Sequence, residues 1–124
     1  MRTLDYSQRL RDHSRAALAT QEKSTARNLL DKILAGGATA ANRDSGRIKS
    51  GLWADLLSLD TNHIDLDGRS GDVLLDTYVF AGDDRMVQDV WSAGRHLVQD
   101  GIHTRRAKIE SQYRAVLNRL GDHM

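Results

Sequence analysis

Apolar positions recur with helical spacing in four stretches of the chain and alternate with polar ones in a fifth. Within residues 2–20, Leu4, Leu10, Ala17 and Leu18 lie near one face, with Arg2, Asp5, Arg9, Asp12 and Arg15 on the others. That pattern predicts an amphipathic helix. Asp5 and Arg9 stand i,i+4 in the favourable order, worth about 0.3 kcal/mol. A second helix is predicted from Ser24 or Thr25, either of which can cap the free first-turn amides. Leu29, Leu30, Ile33 and Leu34 form its apolar stripe. Gly36-Gly37 predicts its end, and Ala38 to Ala41 predict a further small helical piece.

From Ser45 the pattern changes. Ser45 to Gly51 reads as a loop or short strand between glycines. Residues 54–60 read as a strand whose leucines occupy both faces, which predicts an inner position in a sheet. Residues 61–71 are polar and turn-rich. Leu74, Leu75, Tyr78 and Val79 repeat at i, i+1, i+4, i+5 and favour a short helix over 72–80. Residues 86–99 predict a hairpin, since Val87, Asp89, Trp91 and Ala93 alternate with Gln88, Val90 and Ser92. Ala93-Gly94 supplies its turn, and Asp100-Gly101 supplies a second that ends the unit. Ile109, Tyr113, Val116, Leu117 and Leu120 predict a closing helix, with Thr104 as its cap and Gly121 as its end. The expected fold class is α+β: N-terminal helices, a small, mainly antiparallel sheet, and a C-terminal helix. The expected divisions are 1–44, 45–104 and 105–124.

Composition narrows the class. The 124 residues suffice for one modest core. A formal net charge of +1 argues against a dedicated nucleic-acid or membrane-surface protein, so neither partner is expected. No apolar run approaches the ~20 residues of a membrane span, and Met-Arg-Thr-Leu-Asp-Tyr at the start offers no apolar core of a secretory signal. With no cysteine, disulfides and thiolate chemistry are excluded. The expected compartment is the cytoplasm.

Little in the sequence carries chemistry of its own. His13, His63, His96, His103 and His123 are scattered, with no His-x-His or His-x-x-x-His pair, whereas zinc needs three or four converging ligands. The run Asp60, Asn62, His63, Asp65, Asp67, Gly68 is rich in oxygen donors but lacks EF-hand spacing, and reads as a polar connection. Asp83-Asp84, beside Gly82 and Arg85, reads as a turn rather than an acid–base pair. Gly36-Gly37 follows a helix, the reverse of what phosphate binding at an N-terminus requires. No serine has the sequence context of a hydrolase triad. Trp53 and Trp91 read as packing residues.

Ser45-Gly46-x-Ile48-x-x-Gly51-x-x-Ala54-Asp55-Leu56-x-x-Leu59-Asp60 resembles a signature of the amidohydrolase superfamily, which marks the return from a catalytic barrel into a small β-sandwich. Val90-x-x-x-Gly94-x-x-Val98-x-x-Gly101 resembles the closing hairpin of that sandwich. Asn62-His63, Gly68 to Asp72, Leu74 to Asp76 and Val79 to Arg85 resemble the formimidoylglutamate deiminase family within it. So do Leu4 to Arg11 and Tyr113 to Leu120. The resemblance implies, for full members, a TIM-barrel enzyme of histidine degradation with one metal, usually zinc. It hydrolyses N-formimino-L-glutamate to N-formyl-L-glutamate and ammonia, using a metal-lowered water pKa.

In that family the metal ligands are a His-x-His pair on the first barrel strand, a later His, and an Asp at the end of the last strand. This sequence has no His-x-His, and its length falls short of the ~200–250 residues of a barrel. The resemblance therefore implies a C-terminal portion without the barrel. Residues 1–44 would match the end of the barrel, 45–104 the C-terminal half of the sandwich, and 105–124 the last helix. No residue is assigned a catalytic, cofactor-binding or metal-binding role. No cofactor is expected in this chain, and zinc is expected in the full-length family. The chain alone is expected to be inert. Self-association is expected through the apolar faces of the N-terminal helices, at Leu4, Leu10, Leu29, Leu30, Ile33 or Leu34. A separate barrel chain is the alternative partner.

Overall fold

A computed structural model describes residues 1–121. His123 and the last residues of the expected terminal helix lie outside the described residues. The elements in order are α1 (Arg2–Asp12), α2 (Thr25–Ala40), β1 (Leu56–Leu59), α3 (Gly71–Phe80), β2 (Val87–Ser92), β3 (Arg95–Gln99), β4 (Ile102–His103) and α4 (Arg106–Gly121). A single 3₁₀ turn, Asp84–Met86, precedes β2. The fold is α+β, as expected, with one open antiparallel sheet in the order β1-β2-β3-β4. No described helix is long and apolar enough to cross a membrane.

The N-terminal helices depart from expectation at their ends. Helix α1 stops at Asp12 rather than continuing to residue 20. His13 takes a left-handed conformation (φ 49°, ψ 35°) and the Ser14 amide closes on the Arg9 carbonyl at 3.2 Å. The cause is local: Arg11 to Arg15 are five polar residues in succession, so a further turn would have nothing to bury. Helix α2 starts where predicted, with Ser24 Oγ accepting the Arg27 amide. It does not end at Gly36-Gly37 but runs through both to Ala40. Each helical glycine costs about 1 kcal/mol, but Ala35, Ala38 and Ala40 favour the helix on either side. The left-handed residue instead is Asn42, at φ 48°.

Strand β1 is shorter than the expected 54–60, and it lies at the edge of the sheet rather than inside it. Leucines on both faces report what covers a strand above and below. They say nothing of a lateral neighbour, and here β2 pairs on one side only. The β2–β3 hairpin forms as predicted. Ala93 and Gly94 both have positive φ (52° and 76°), the mirror-image turn that matches strand twist. Asp100 and Gly101 repeat this geometry (φ 48° and 72°). That second turn does not end the unit but leads into β4, where Gln99 pairs with Ile102. Arg105, not Thr104, stands at the start of α4, since its carbonyl accepts the first helical bond from Ile109 at 3.0 Å.

The core lies between α2 and α3. Ala26, Leu29 and Val79 are buried together, with Leu18, Leu30, Leu75, Tyr78 and Phe80 against them. Leu29 is therefore unavailable as an association surface and Leu30 is partly spent, because α3 already covers that side of the stripe. Leu4, Leu10, Ile33 and Leu34 remain exposed. Asp5 is fully buried on α1 beside Arg9, with Nε to Oδ2 at 2.5 Å. The Arg9 guanidinium also faces the rings of Tyr6 and Phe80 at 5.6 and 5.4 Å.

Candidate functional site

Gly46, Ala54 and Asp55 of the 45–60 signature converge on one clasp. The chain leaves α2 and must turn sharply against it. At Gly46 (φ 85°) a Cβ would fall 2.6 Å from the Leu34 carbonyl oxygen, so only glycine fits there. Asp55 then receives both arms of Arg43, from Nε at 2.5 Å and Nη2 at 2.9 Å. Its Oδ1 also accepts the Ala93 amide at 2.8 Å. The Trp53 amide bonds the Asp44 carbonyl, and the Gly94 amide bonds that of Ala54. The Arg43 guanidinium lies over the Trp53 ring at 5.0 Å.

Asp55 is thus a structural charge, held by the Arg43 guanidinium and the Ala93 amide at a pKa of about 2. It ties the exit of α2 to the tip of the β2–β3 hairpin, and it steadies Ala93 in a conformation that alanine adopts at a cost. An open cleft of about 590 Å³ runs beside it, lined among others by Thr39, Arg43, Ser45 and Arg47. Arg43 is already committed to Asp55 and Trp53.

On one face of the sheet a serine, an aspartate and a histidine meet, which reading the residues one by one did not reveal. Ser58 pairs with Asp89 across β1–β2. Asp89 accepts from Ser58 Oγ at 3.1 Å and lies 2.7 Å from His96 Nε2. Gln99 contacts the other ring nitrogen at 2.9 Å, and Trp91 stacks on the imidazole at 4.5 Å. The connectivity decides the chemistry. A nucleophilic serine must hand its proton to histidine, with the acid behind the histidine. Here the acid stands between the two, and Ser58 Oγ also accepts the Asp89 amide. The group is a cross-strand polar network. Period-two alternation puts Ser58, Asp89 and His96 on definite faces, but only the register brings them together.

The remaining acidic candidates have structural partners. In the 60–68 run, Asp60 Oδ1 accepts the Asn62 amide and the His63 carbonyl accepts the amides of Leu66 and Asp67. The turn wraps the buried Leu66. Asp83 caps the 3₁₀ turn and pairs with Arg85, which holds its carboxyl at about 2, while Asp84 enters the turn. Asp72 and Asp76, which the sequence marked only as parts of resembling runs and gave no role, accept the Ser24 and Ala26 amides at 2.9 and 3.0 Å and so cap α2 from α3.

His13 ends α1, His63 lies in a turn, and His96 and His103 lie on β3 and β4. Among the described residues, no three His, Cys, Asp or Glu side chains come together as a metal site. The described residues therefore do not fit a zinc centre.

No model of a protein family matches the chain. The chain is 42% identical over 123 residues to formimidoylglutamate deiminase of Pseudomonas aeruginosa, a match that covers 98% of this chain and 27% of that protein. The crystal structure of an amidohydrolase from Brucella melitensis superposes with a TM-score of 0.80 at 41% identity, over 96% of this chain and 26% of that one. An adenosine deaminase from Xanthomonas campestris, solved with bound zinc, shares the fold (TM-score 0.74, 22% identity, 98% of this chain and 27% of that one). The chain spans about a quarter of the length of these proteins. In sequence and in fold the chain is thus similar to one portion of a formimidoylglutamate deiminase and of an amidohydrolase.

Proposed function

We propose that the chain is a non-catalytic piece corresponding to the C-terminal part of an enzyme that deiminates N-formimino-L-glutamate in histidine degradation. It works in the cytoplasm and holds no zinc alone. One observation carries this reading: a strong match along nearly the whole chain that accounts for only 27% of the relative. The commitment of Asp55 to Arg43 and Ala93 supports it, because the most specific signature residue is occupied by folding rather than chemistry. The test is direct. The purified chain is expected to bind no stoichiometric zinc and to release no ammonia from N-formimino-L-glutamate. Turnover together with one zinc per chain overturns the reading.

A second reading, an interaction module, is favoured by the exposed Leu4, Leu10, Ile33 and Leu34 on α1 and α2. Apolar residues grouped on a surface mark contact sites. The partner is either a second copy or a separately encoded barrel piece. Co-purification with such a piece, with metal binding restored, supports the latter.

A further inference from the structure

Helix α4 stands apart from the rest of the fold. Every residue of Arg106–Gly121 is exposed. A 16-residue helix without tertiary packing is marginal in water. Ile109, Tyr113, Val116, Leu117 and Leu120 nevertheless form one stripe, each 44–62% exposed. The stripe is flanked by positive charge. Residues 105–121 carry Arg105, Arg106, Lys108, Arg114 and Arg119 against Glu110 alone, and Glu110 is paired with Arg106 at 2.6 Å.

The same chain carries the complementary surface. Residues 60–85 hold seven aspartates against Arg69 and Arg85, of which Asp60, Asp72, Asp76 and Asp83 already serve amides or Arg85. The others, Asp65, Asp67 and Asp84, are exposed, and Ile64 beside them is 80% exposed. The Asp60 amide bonds the Met86 carbonyl at 2.8 Å, which stitches the 60–69 turn to the 84–86 turn.

We propose that α4 docks on this acidic surface of a second copy of the chain, and that the second copy returns the contact. Charge selects this arrangement. Pairing α4 with α4 would set two basic helices side by side. An anionic membrane suits a basic amphipathic helix, but it offers the exposed Asp65, Asp67 and Asp84 no cationic partner. Two reciprocal contacts, each a helix about 24 Å long and about 10 Å wide, bury on the order of 1,000 Å². That is the lower end of specific interfaces. The proposal rests on α4 and the charge pattern, and stands independently of the enzyme reading above.

Sedimentation velocity of the full chain tests it. The expected result is a concentration-dependent dimer that molar salt weakens. Two charge-reversed variants are then compared. One carries Lys108→Glu, Arg114→Glu and Arg119→Glu. The other carries Asp65→Lys, Asp67→Lys and Asp84→Lys. Each alone is expected to lose the dimer, because like charges then face each other at both contacts. Their equimolar mixture is expected to regain a heterodimer, which misfolded partners could not form. Each of these outcomes overturns the proposal: a wild-type monomer at all concentrations, a dimer that survives in both variants, a mixture that stays monomeric, or a dimer lost only on Leu10→Ser with Leu34→Ser. Binding of a monomer to phosphatidylserine vesicles overturns it in favour of a membrane role.

Discussion

Asp55 shows how one carboxylate organises a turn. In the folded chain it stays ionised down to about pH 2, whereas an ordinary aspartate protonates near 3.8. Its contribution to stability is therefore complete above the ordinary value and lost as pH falls through about 2. The stability gap between wild type and Asp55→Asn, read from urea unfolding at a series of pH values, should be largest near neutrality and close on acidification. Ala93 is the other end of this clasp. Its positive φ (52°) predicts that Ala93→Gly raises stability by about 1 kcal/mol, measured as a higher urea midpoint. Asp5 is a sharper case, buried with Arg9 as its counter-charge and without hydrogen-bond alignment. Removing one partner of a buried pair is costly. Because the Arg9 side chain is 36% exposed, Asp5→Ala is expected to cost about 2 kcal/mol, below the 3–5 of a fully buried pair.

Helix α2 depends on α3 for more than apolar contact. Ser24, Asp72 and Asp76 together satisfy amides at its first turn, and an anionic side chain there also suits the helix dipole. Asp72→Ala and Asp76→Ala should each destabilise by about 1 kcal/mol. Urea midpoints should shift accordingly, and the two losses should not simply add, since both act on one helix end. The helix periods and both glycine turns were legible in the sequence, because each depends on residues within one or two turns of chain. The early stop of α1 was also local, in the polar run Arg11 to Arg15. The passage of α2 through Gly36-Gly37 was not, because glycine weighs against a helix without forbidding it. The capping aspartates lie 48 and 50 residues from the amides they serve, and no local pattern announces such a pair.

Taken as one body, the fold has a small core and a large apolar exterior. Leu10, Ile48 and Trp53 are 78%, 92% and 53% exposed. Such a surface should bind a hydrophobic dye, and the fluorescence should fall as the chain is concentrated into associated species. A chain that stays monomeric and dark to the dye would count against any contact role for these residues. The sequence alone settled the α+β class, the hairpin and the resemblance to one portion of the amidohydrolases, because periodicity, turn chemistry and motif spacing are properties of neighbouring residues. Tertiary structure decided the rest. It put β1 at an edge, buried Leu29 under α3, set Asp89 between Ser58 and His96, and joined Asp55 to Arg43 and Ala93. Each of those outcomes follows from strand register or helix packing, which couple residues far apart in the chain and leave no periodic trace in either segment.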